Sequence, residues 1–188
     1  ITRSPTVEAS YAKYIEIYFE KGIPKKIDGK TYKLKTLISR LNETGGFYGV
    51  GRSDMVENRL VGIKSREIYE APAATILHIA HKELEALVLD RELSHFKDII
   101  ALKYSELVYN GLWFSPLKEA LDHFVNAAQK RVSGTIKLKL FKGNCVAVSR
   151  KSSHSLYKKE LSTYGKEDKF DQKLAEGFIK LWGMPYKR

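Results

Sequence analysis

The sequence predicts an α+β domain: an antiparallel or mixed β-sheet packed with a central run of three helices and closed by a short carboxy-terminal helix. Three observations predict it. Apolar residues alternate with polar ones near both ends of the chain, at Tyr14–Phe19 and Thr135–Phe141. Between them, from Pro72 to Ala128, the apolar period lengthens to that of a helix in three successive blocks. The 188 residues, 43 % hydrophobic and 29 % charged, suffice for one buried core. Strands, then helices, then strands is the chain order of an α+β fold.

The first strand places Ile15, Ile17 and Phe19 on one face. A second short strand, Ile23–Ile27, runs into Asp28-Gly29, a pair that favours the positive dihedrals of a tight hairpin, so Lys30–Leu34 is expected to fold back on it. Leu34, Leu37, Ile38 and Leu41 then recur at helical spacing, and Gly45-Gly46 is expected to end that helix. Phe47–Ser65 has no sustained helical period. It reads as loop and strand, with a short buried strand at Leu60–Ile63.

Pro72 suits the first turn of the next helix, which runs to about Val88 with Ile76, Leu77, Ala80, Leu84 and Leu87 inward. Asp90 is a natural cap for the second central helix, expected to bury Phe96, Ile99, Ile100, Leu107 and Val108 and to stop at Asn110-Gly111. Ser115-Pro116 opens the third, with Leu117, Leu121, Phe124, Val125 and Ala128 inward. Lys142-Gly143-Asn144 turns the second alternating strand, and Cys145–Ser149 answers it, leaving Lys137 and Lys139 on the wet face. A short Ser155–Leu161 helix, a polar loop and an amphipathic piece at Lys173–Trp182, ending before Pro185, complete the chain.

Composition excludes several classes. No apolar run approaches the roughly 20 residues that span a bilayer, and residues 1–10 do not read as a signal peptide. Cys145 is the only cysteine, so no internal disulfide forms; a reducing cytosol is expected, with Cys145 as a small core residue. The chain begins with Ile, so a piece of a longer protein is expected. A net charge of +11 permits attraction to phosphates. The cations come at most in adjacent pairs, however, which favours a solvated basic surface over a nucleic-acid-binding module. A purely oligomerising domain is a further alternative.

There is no G-x-x-x-x-G-K-[ST] loop, no G-x-G-x-x-G and no G-x-S-x-G elbow. His78, His81 and Glu85 share a helix face but lack the further ligands of a metal site, so none is expected. The densest polar segment is Asp54–Arg59 with Lys64–Glu70. There Glu57 and Tyr69 flank a turn or crossover and suit a zwitterionic ligand. A carboxylate matches an ammonium group, and a phenol donates to a carboxylate or ureido oxygen. Arg59, Lys64 and Arg66 are candidate anion or phosphate contacts, with structural ion pairs as the alternative.

This segment, Gly49-Val50-Gly51-Arg52-Ser53-Asp54-Met55-Val56-Glu57-Asn58-Arg59, with Val61-Gly62-Ile63-Lys64-Ser65-Arg66 and Ile68-Tyr69-Glu70, closely resembles the signature region of argininosuccinate synthases. The likeness continues through Thr75-Ile76-Leu77, Glu106–Gly111, Leu140–Asn144 and Gly177–Lys180. It implies part of a cytosolic, homotetrameric ligase that joins citrulline and aspartate through a citrulline-adenylate, using ATP and Mg²⁺. It also implies that Glu57 and Tyr69 contact citrulline, with no catalytic acid or base among the residues named. The implied division is a citrulline-binding synthetase domain over 1–165 and an assembly tail over 166–188. The ATP-binding domain is expected to be absent from this chain, so that alone it binds no cofactor and is inactive. Two departures stand out: Glu67 and Ala74 occupy positions where the family usually has glycine, which implies a slightly different backbone or a filled gap.

Overall fold

Alternation of apolar and polar residues builds β1 (Lys13–Glu20) in the computed structural model of the chain, which describes residues 1–4, 10–161 and 169–187. Ile15, Ile17 and Phe19 are buried to within 2 % of full enclosure, and the intervening residues face outward. β1 pairs antiparallel with β2 (Ile23–Ile27), and β2 with β3 (Lys30–Thr31). Asp28 and Gly29 both take positive φ, 49° and 77°, as the two-residue turn requires. The Asp28 carboxylate also accepts the Glu16 backbone N–H at 2.8 Å. The returning strand is shorter than expected, because Leu34 already opens a helix.

The late hairpin, β6 (Gly134–Phe141) and β7 (Asn144–Lys151), joins the other edge of β1 to give the order β3-β2-β1-β6-β7, antiparallel throughout. Ile136, Leu138 and Leu140 are fully enclosed, while Lys137 and Lys139 lie on the opposite, half-buried face. Lys137 reaches Glu16 across that face at 3.3 Å.

The enclosed face of the sheet packs against α1 (Leu34–Phe47) and α2 (Pro72–Val88), through Leu37, Leu41, Ile76, Ala80 and Leu84. Gly45-Gly46 does not end α1; the helix runs through both. The reason is close approach. A Cβ on Gly45 would stand 2.7 Å from Ile76 Cδ1 and 2.9 Å from Pro72 Cβ, so the glycine lets α2 press against the helix backbone. Pro72 occupies the first turn of α2, as expected. Asn42 of α1 accepts the free Ala73 N–H at 2.9 Å.

The segment between α1 and α2 departs most from expectation. It is a second, separate hairpin, β4 (Arg52–Asn58) and β5 (Lys64–Glu70). Leu60–Ile63 is not a buried strand but the hairpin's tip, with Leu60 and Val61 75 % and 80 % exposed. Arg59 N–H donates to the Ile63 carbonyl and Gly62 N–H to the Arg59 carbonyl, which closes the turn.

Asp90 caps α3 (Arg91–Tyr109) through the Leu93 N–H at 3.0 Å, and Ser115 caps α4 (Pro116–Ala128) through that of Lys118 at 3.3 Å. Of the residues expected inside α3, only Leu107 is buried; Phe96 and Ile99 are exposed. α3 meets α4 along one edge, with Phe96 edge-to-face on Phe124 at 5.5 Å. Ile100 and Val108 are partly buried, whereas Ile99 stays 63 % exposed. Leu117 is likewise exposed, while Leu121 and Ala128 are buried.

The chain divides into two compact units, Ile1–Leu156 and Tyr157–Arg188. The expected helix at Ser155–Leu161 reduces to one 3-10 turn, Lys159–Leu161. Leu156 N–H donates to the Leu87 carbonyl at 2.9 Å instead of back along a helix. The later unit contains α5 (Lys173–Trp182), followed by a 3-10 turn holding Pro185, as expected. The expected boundary at 165/166 and most of the polar loop lie outside the described residues. On α5, Phe178 and Trp182 stack at 5.6 Å, four residues apart.

Candidate functional site

The β4–β5 hairpin sorts its polar side chains by strand parity. Ser53 pairs with Tyr69, Met55 with Glu67 and Glu57 with Ser65 on one face. Asp54–Ile68, Val56–Arg66 and Asn58–Lys64 share the other. On the first face Glu57, Ser65 and Glu67 are half-buried; on the second these six residues are all exposed.

Contacts at both ends anchor this hairpin. Gly51 sits at φ +91°, where its Cβ would fall 2.6 Å from Pro72 N, so only glycine lets β4 start this close to α2. Ala71 N–H then donates to the Gly51 carbonyl at 2.8 Å. At the far end the Tyr109 hydroxyl, from the last residue of α3, donates to the Asn58 carbonyl at 3.3 Å.

Glu57 and Tyr69 meet on the half-buried face. The phenol donates to Glu57 Oε2 at 3.0 Å, and this bond to a carboxylate pushes the phenol's pKa above its ordinary value. Arg59 approaches the other oxygen, its Nε 3.8 Å from Glu57 Oε1, but spends its hydrogen bonds elsewhere. Nε donates to Ser65 Oγ at 2.9 Å and Nη2 to Glu67 Oε1 at 2.5 Å. The Glu67 carboxylate is the main cause of a raised Arg59 pKa.

Lys64 and Arg66 stand apart from this cluster, on the opposite face. Lys64 donates to Asn58 Oδ1 at 2.6 Å. Arg66 forks onto Asp54, with Nε to Oδ1 at 2.8 Å, and holds the Asp54 carboxyl below its usual pKa. The structure thus joins Glu57, Tyr69 and Arg59 and separates them from Lys64 and Arg66.

Ser65 and Glu67 complete the face, although neither is among the site residues expected from the sequence. Strict alternation of Ser65, Glu67 and Tyr69 along β5 was the available sign. It was masked because the alternating partners are charged rather than apolar, so the period marks two polar faces and not a buried one. Glu67 lies in regular extended strand and Ala74 inside α2, and neither has positive φ. Their Cβ atoms therefore sit on ordinary backbone.

A second polar cluster lies under α2 and α3. Gln129, 7 % exposed, donates through Nε2 to Glu85 Oε1 at 2.6 Å, and Lys97 Nζ lies 3.0 Å from Glu85 Oε2. Because a carboxylate only accepts, the Gln129 amide must turn its NH₂ to Glu85. Its carbonyl then accepts from His81 Nε2 at 2.9 Å, which sets that ring's tautomer. Burial is the main influence on His81 and lowers its pKa, against the opposing pull of Glu85. Next to this cluster a cavity of about 790 Å³ opens, lined by Gly22, Ile100, Tyr104, Val108 and Val125.

His78, on the same helix, is exposed. Among the described residues no group of three or more His, Cys, Asp or Glu is placed to hold a metal ion, and no helix is long and apolar enough to cross a membrane. Cys145 faces the core's rim, where burial pushes its thiol up to about 11.

Comparison with known proteins agrees with the motif reading. The family profile for the arginosuccinate synthase C-terminal domain matches residues 1–188. The chain is 54 % identical over 187 residues to an argininosuccinate synthase of Caldanaerobacter subterraneus, all of this chain against 46 % of that protein. It is 58 % identical over 173 residues to that of Bacillus subtilis, covering 92 % and 43 %. With Ligilactobacillus salivarius the figures are 57 % over 171 residues, 91 % and 42 %. The chain thus spans about half the length of the curated relatives it matches. With a profile match end to end and more than half of its residues shared with each of these relatives, the chain belongs to the argininosuccinate synthase C-terminal domain family.

Proposed function

We propose that this chain is the carboxy-terminal part of an ATP-dependent ligase that joins citrulline and aspartate into argininosuccinate through a citrulline-adenylate, and that its hairpin supplies the citrulline subsite. The Glu57–Tyr69 bond on the half-buried hairpin face carries this reading. A carboxylate with one oxygen held by a phenol keeps its second oxygen for an ammonium group, and the phenol fixes where that oxygen points. The role is positioning. Holding one reactant in near-attack geometry is worth as much as about 7–11 kcal/mol of barrier when fully realised.

ATP and Mg²⁺ do not fit the described residues, which offer no His, Cys, Asp or Glu cluster for the metal and whose candidate anion contacts Arg59, Lys64 and Arg66 are already engaged. In this proposal their ligands belong to the rest of the ligase, as do the aspartate contacts. The assembly is a cytoplasmic homotetramer, and the apolar side chains of α5 left exposed, Leu174, Phe178 and Trp182, support a part for that helix in it.

The test is Glu57→Gln in the full-length ligase. Losing a charge-assisted hydrogen bond of about 1.5–3 kcal/mol raises the citrulline KM about 10- to 100-fold. The ATP KM stays near wild type. An unchanged citrulline KM would remove the hairpin from the site.

A further inference from the structure

The carbonyl that Tyr109 bonds has no partner within the hairpin. Arg59 N–H donates to the Ile63 carbonyl, so these two form a hydrogen-bonded pair, one step beyond Asn58 and Lys64. Such pairs alternate along an antiparallel ladder, which makes Glu57 and Ser65 the next of them. The backbone polar groups of Asn58 therefore point outward, to the free edge of β4. The Tyr109 hydroxyl reaches that edge at 3.3 Å, one residue beyond Glu57. Distance from the core makes this contact matter. Glu57 lies six residues from Gly51, where the hairpin leaves the core, a span of about 20 Å at roughly 3.3 Å per residue. A lone two-stranded ribbon is weakly held, and at that length a swing of about 5° moves its end by roughly 1.7 Å. Misplacing a reactant by about 1 Å is enough to cost on the order of 100-fold in rate.

The donor stands on a fixed frame. Tyr109 is the last residue of α3. Lys97 ties that helix to the buried Glu85 at 3.0 Å, and Phe96 ties it to Phe124 of α4 at 5.5 Å. Leu107, two residues before Tyr109, is buried. The Tyr109 ring itself is 55 % exposed and borders the cavity beside His81, so the hydroxyl rather than ring packing makes the link to β4.

We infer that Tyr109 is a positioning residue for the amino-acid subsite: by holding the free edge of β4 to the end of α3, it fixes where the Glu57 carboxylate stands relative to the core. This rests on the citrulline reading above and adds the support that such a subsite needs. Tyr69 orients the Glu57 carboxylate within the hairpin, but the two ride on paired strands and swing together. Tyr109 refers both to the body of the domain.

The experiment is Tyr109→Phe in the full-length ligase, alone and combined with Glu57→Gln. It is read as kcat and KM for citrulline and for ATP, with amide exchange of the hairpin and thermal unfolding alongside. Tyr109→Phe should lower the citrulline kcat/KM about twofold to tenfold, the range of one neutral hydrogen bond. The ATP KM and the melting temperature should stay near wild type. Amides of β4 and β5 should exchange faster, and those of β6 should not. In the Glu57→Gln background the same substitution should cost less than about twofold, because the group it positions is already gone. A Tyr109→Phe enzyme with wild-type citrulline kcat/KM or unchanged hairpin exchange overturns the inference. So does a loss of equal size in both backgrounds, or one shared by citrulline and ATP with a fall in melting temperature, which would mean that Tyr109 merely supports the fold. Glu57→Gln by itself separates the two levels. If it leaves citrulline KM unchanged, the subsite reading fails and this inference with it; if it raises KM while Tyr109→Phe changes nothing, only the inference fails.

Discussion

The β6–β7 and β4–β5 hairpins are nearly equal in length and alternate just as regularly, yet one builds the core and the other keeps its side chains outside it. Every second residue of β6 is buried, and Ile136, Leu138 and Leu140 are fully enclosed against α2. No residue of β4 or β5 is buried, and both strands carry charge on each face. A lone two-stranded hairpin is marginal in water. This one is held instead by Gly51 pressed against Pro72, the Tyr109 hydroxyl on its far end, and polar pairs across its strands. The difference teaches that alternation alone does not say which hairpin builds a core. What matters is whether the alternating set is apolar, hence worth burying, or ionisable, hence useful only where solvent or a ligand can reach it.

Substitutions at matched positions test that contrast most directly. Leu138→Ala should cost about 2–5 kcal/mol in denaturant unfolding, from lost burial and the cavity left behind. Ile68→Ala, on the exposed hairpin face, should change stability by no more than about 0.5 kcal/mol. Equal losses at the two positions would erase the distinction.

A somewhat smaller effect is expected where charge enters the core. Glu85→Ala leaves Gln129 without its acceptor and Lys97 without its partner, and should cost about 3 kcal/mol by the same measurement. The cost is much larger than for breaking Arg66–Asp54 on the hairpin, which is open to solvent. A near-neutral Glu85→Ala would show that this network, too, behaves as surface.

The smallest effect is a pH dependence. Burial holds the His81 pKa below its ordinary 6.5, so in mild acid the unfolded chain takes up a proton that the folded chain refuses. The stabilisation is therefore present above about pH 6.5 and is lost as pH falls toward the lowered folded value. Melting curves at pH 7.5 and 5.5 should show the decline, and His81→Gln should flatten it. A slope that survives in His81→Gln would place the proton elsewhere.

Much of the fold was legible because local rules and tertiary packing agree. Asp90 and Ser115 cap the helices they were expected to cap, Asp28-Gly29 turns as its dihedrals demand, and α2 buries Ile76, Ala80 and Leu84 as its period requires. Where fold and sequence expectation differ, an apolar residue is not an inner one. Leu60–Ile63 is a tip, and Phe96 and Ile99 on α3 face outward among the described residues. Gly45-Gly46 looked like a helix end because a glycine made for close packing cannot be told locally from one made for a turn.

The candidate site divides in the same way. The chain by itself determined that a carboxylate, a phenol and three cations stand close together around one turn, and its motif named the family. Only the folded hairpin decided which of them meet. Strand parity puts Glu57, Arg59, Glu67 and Tyr69 on one face and sends Lys64 and Arg66 to the other, where Asn58 and Asp54 engage them. The physical reason is that pairing register is a relation between two strands. A shift of one residue reverses every side chain on a strand, and nothing within either strand's own sequence sets that shift.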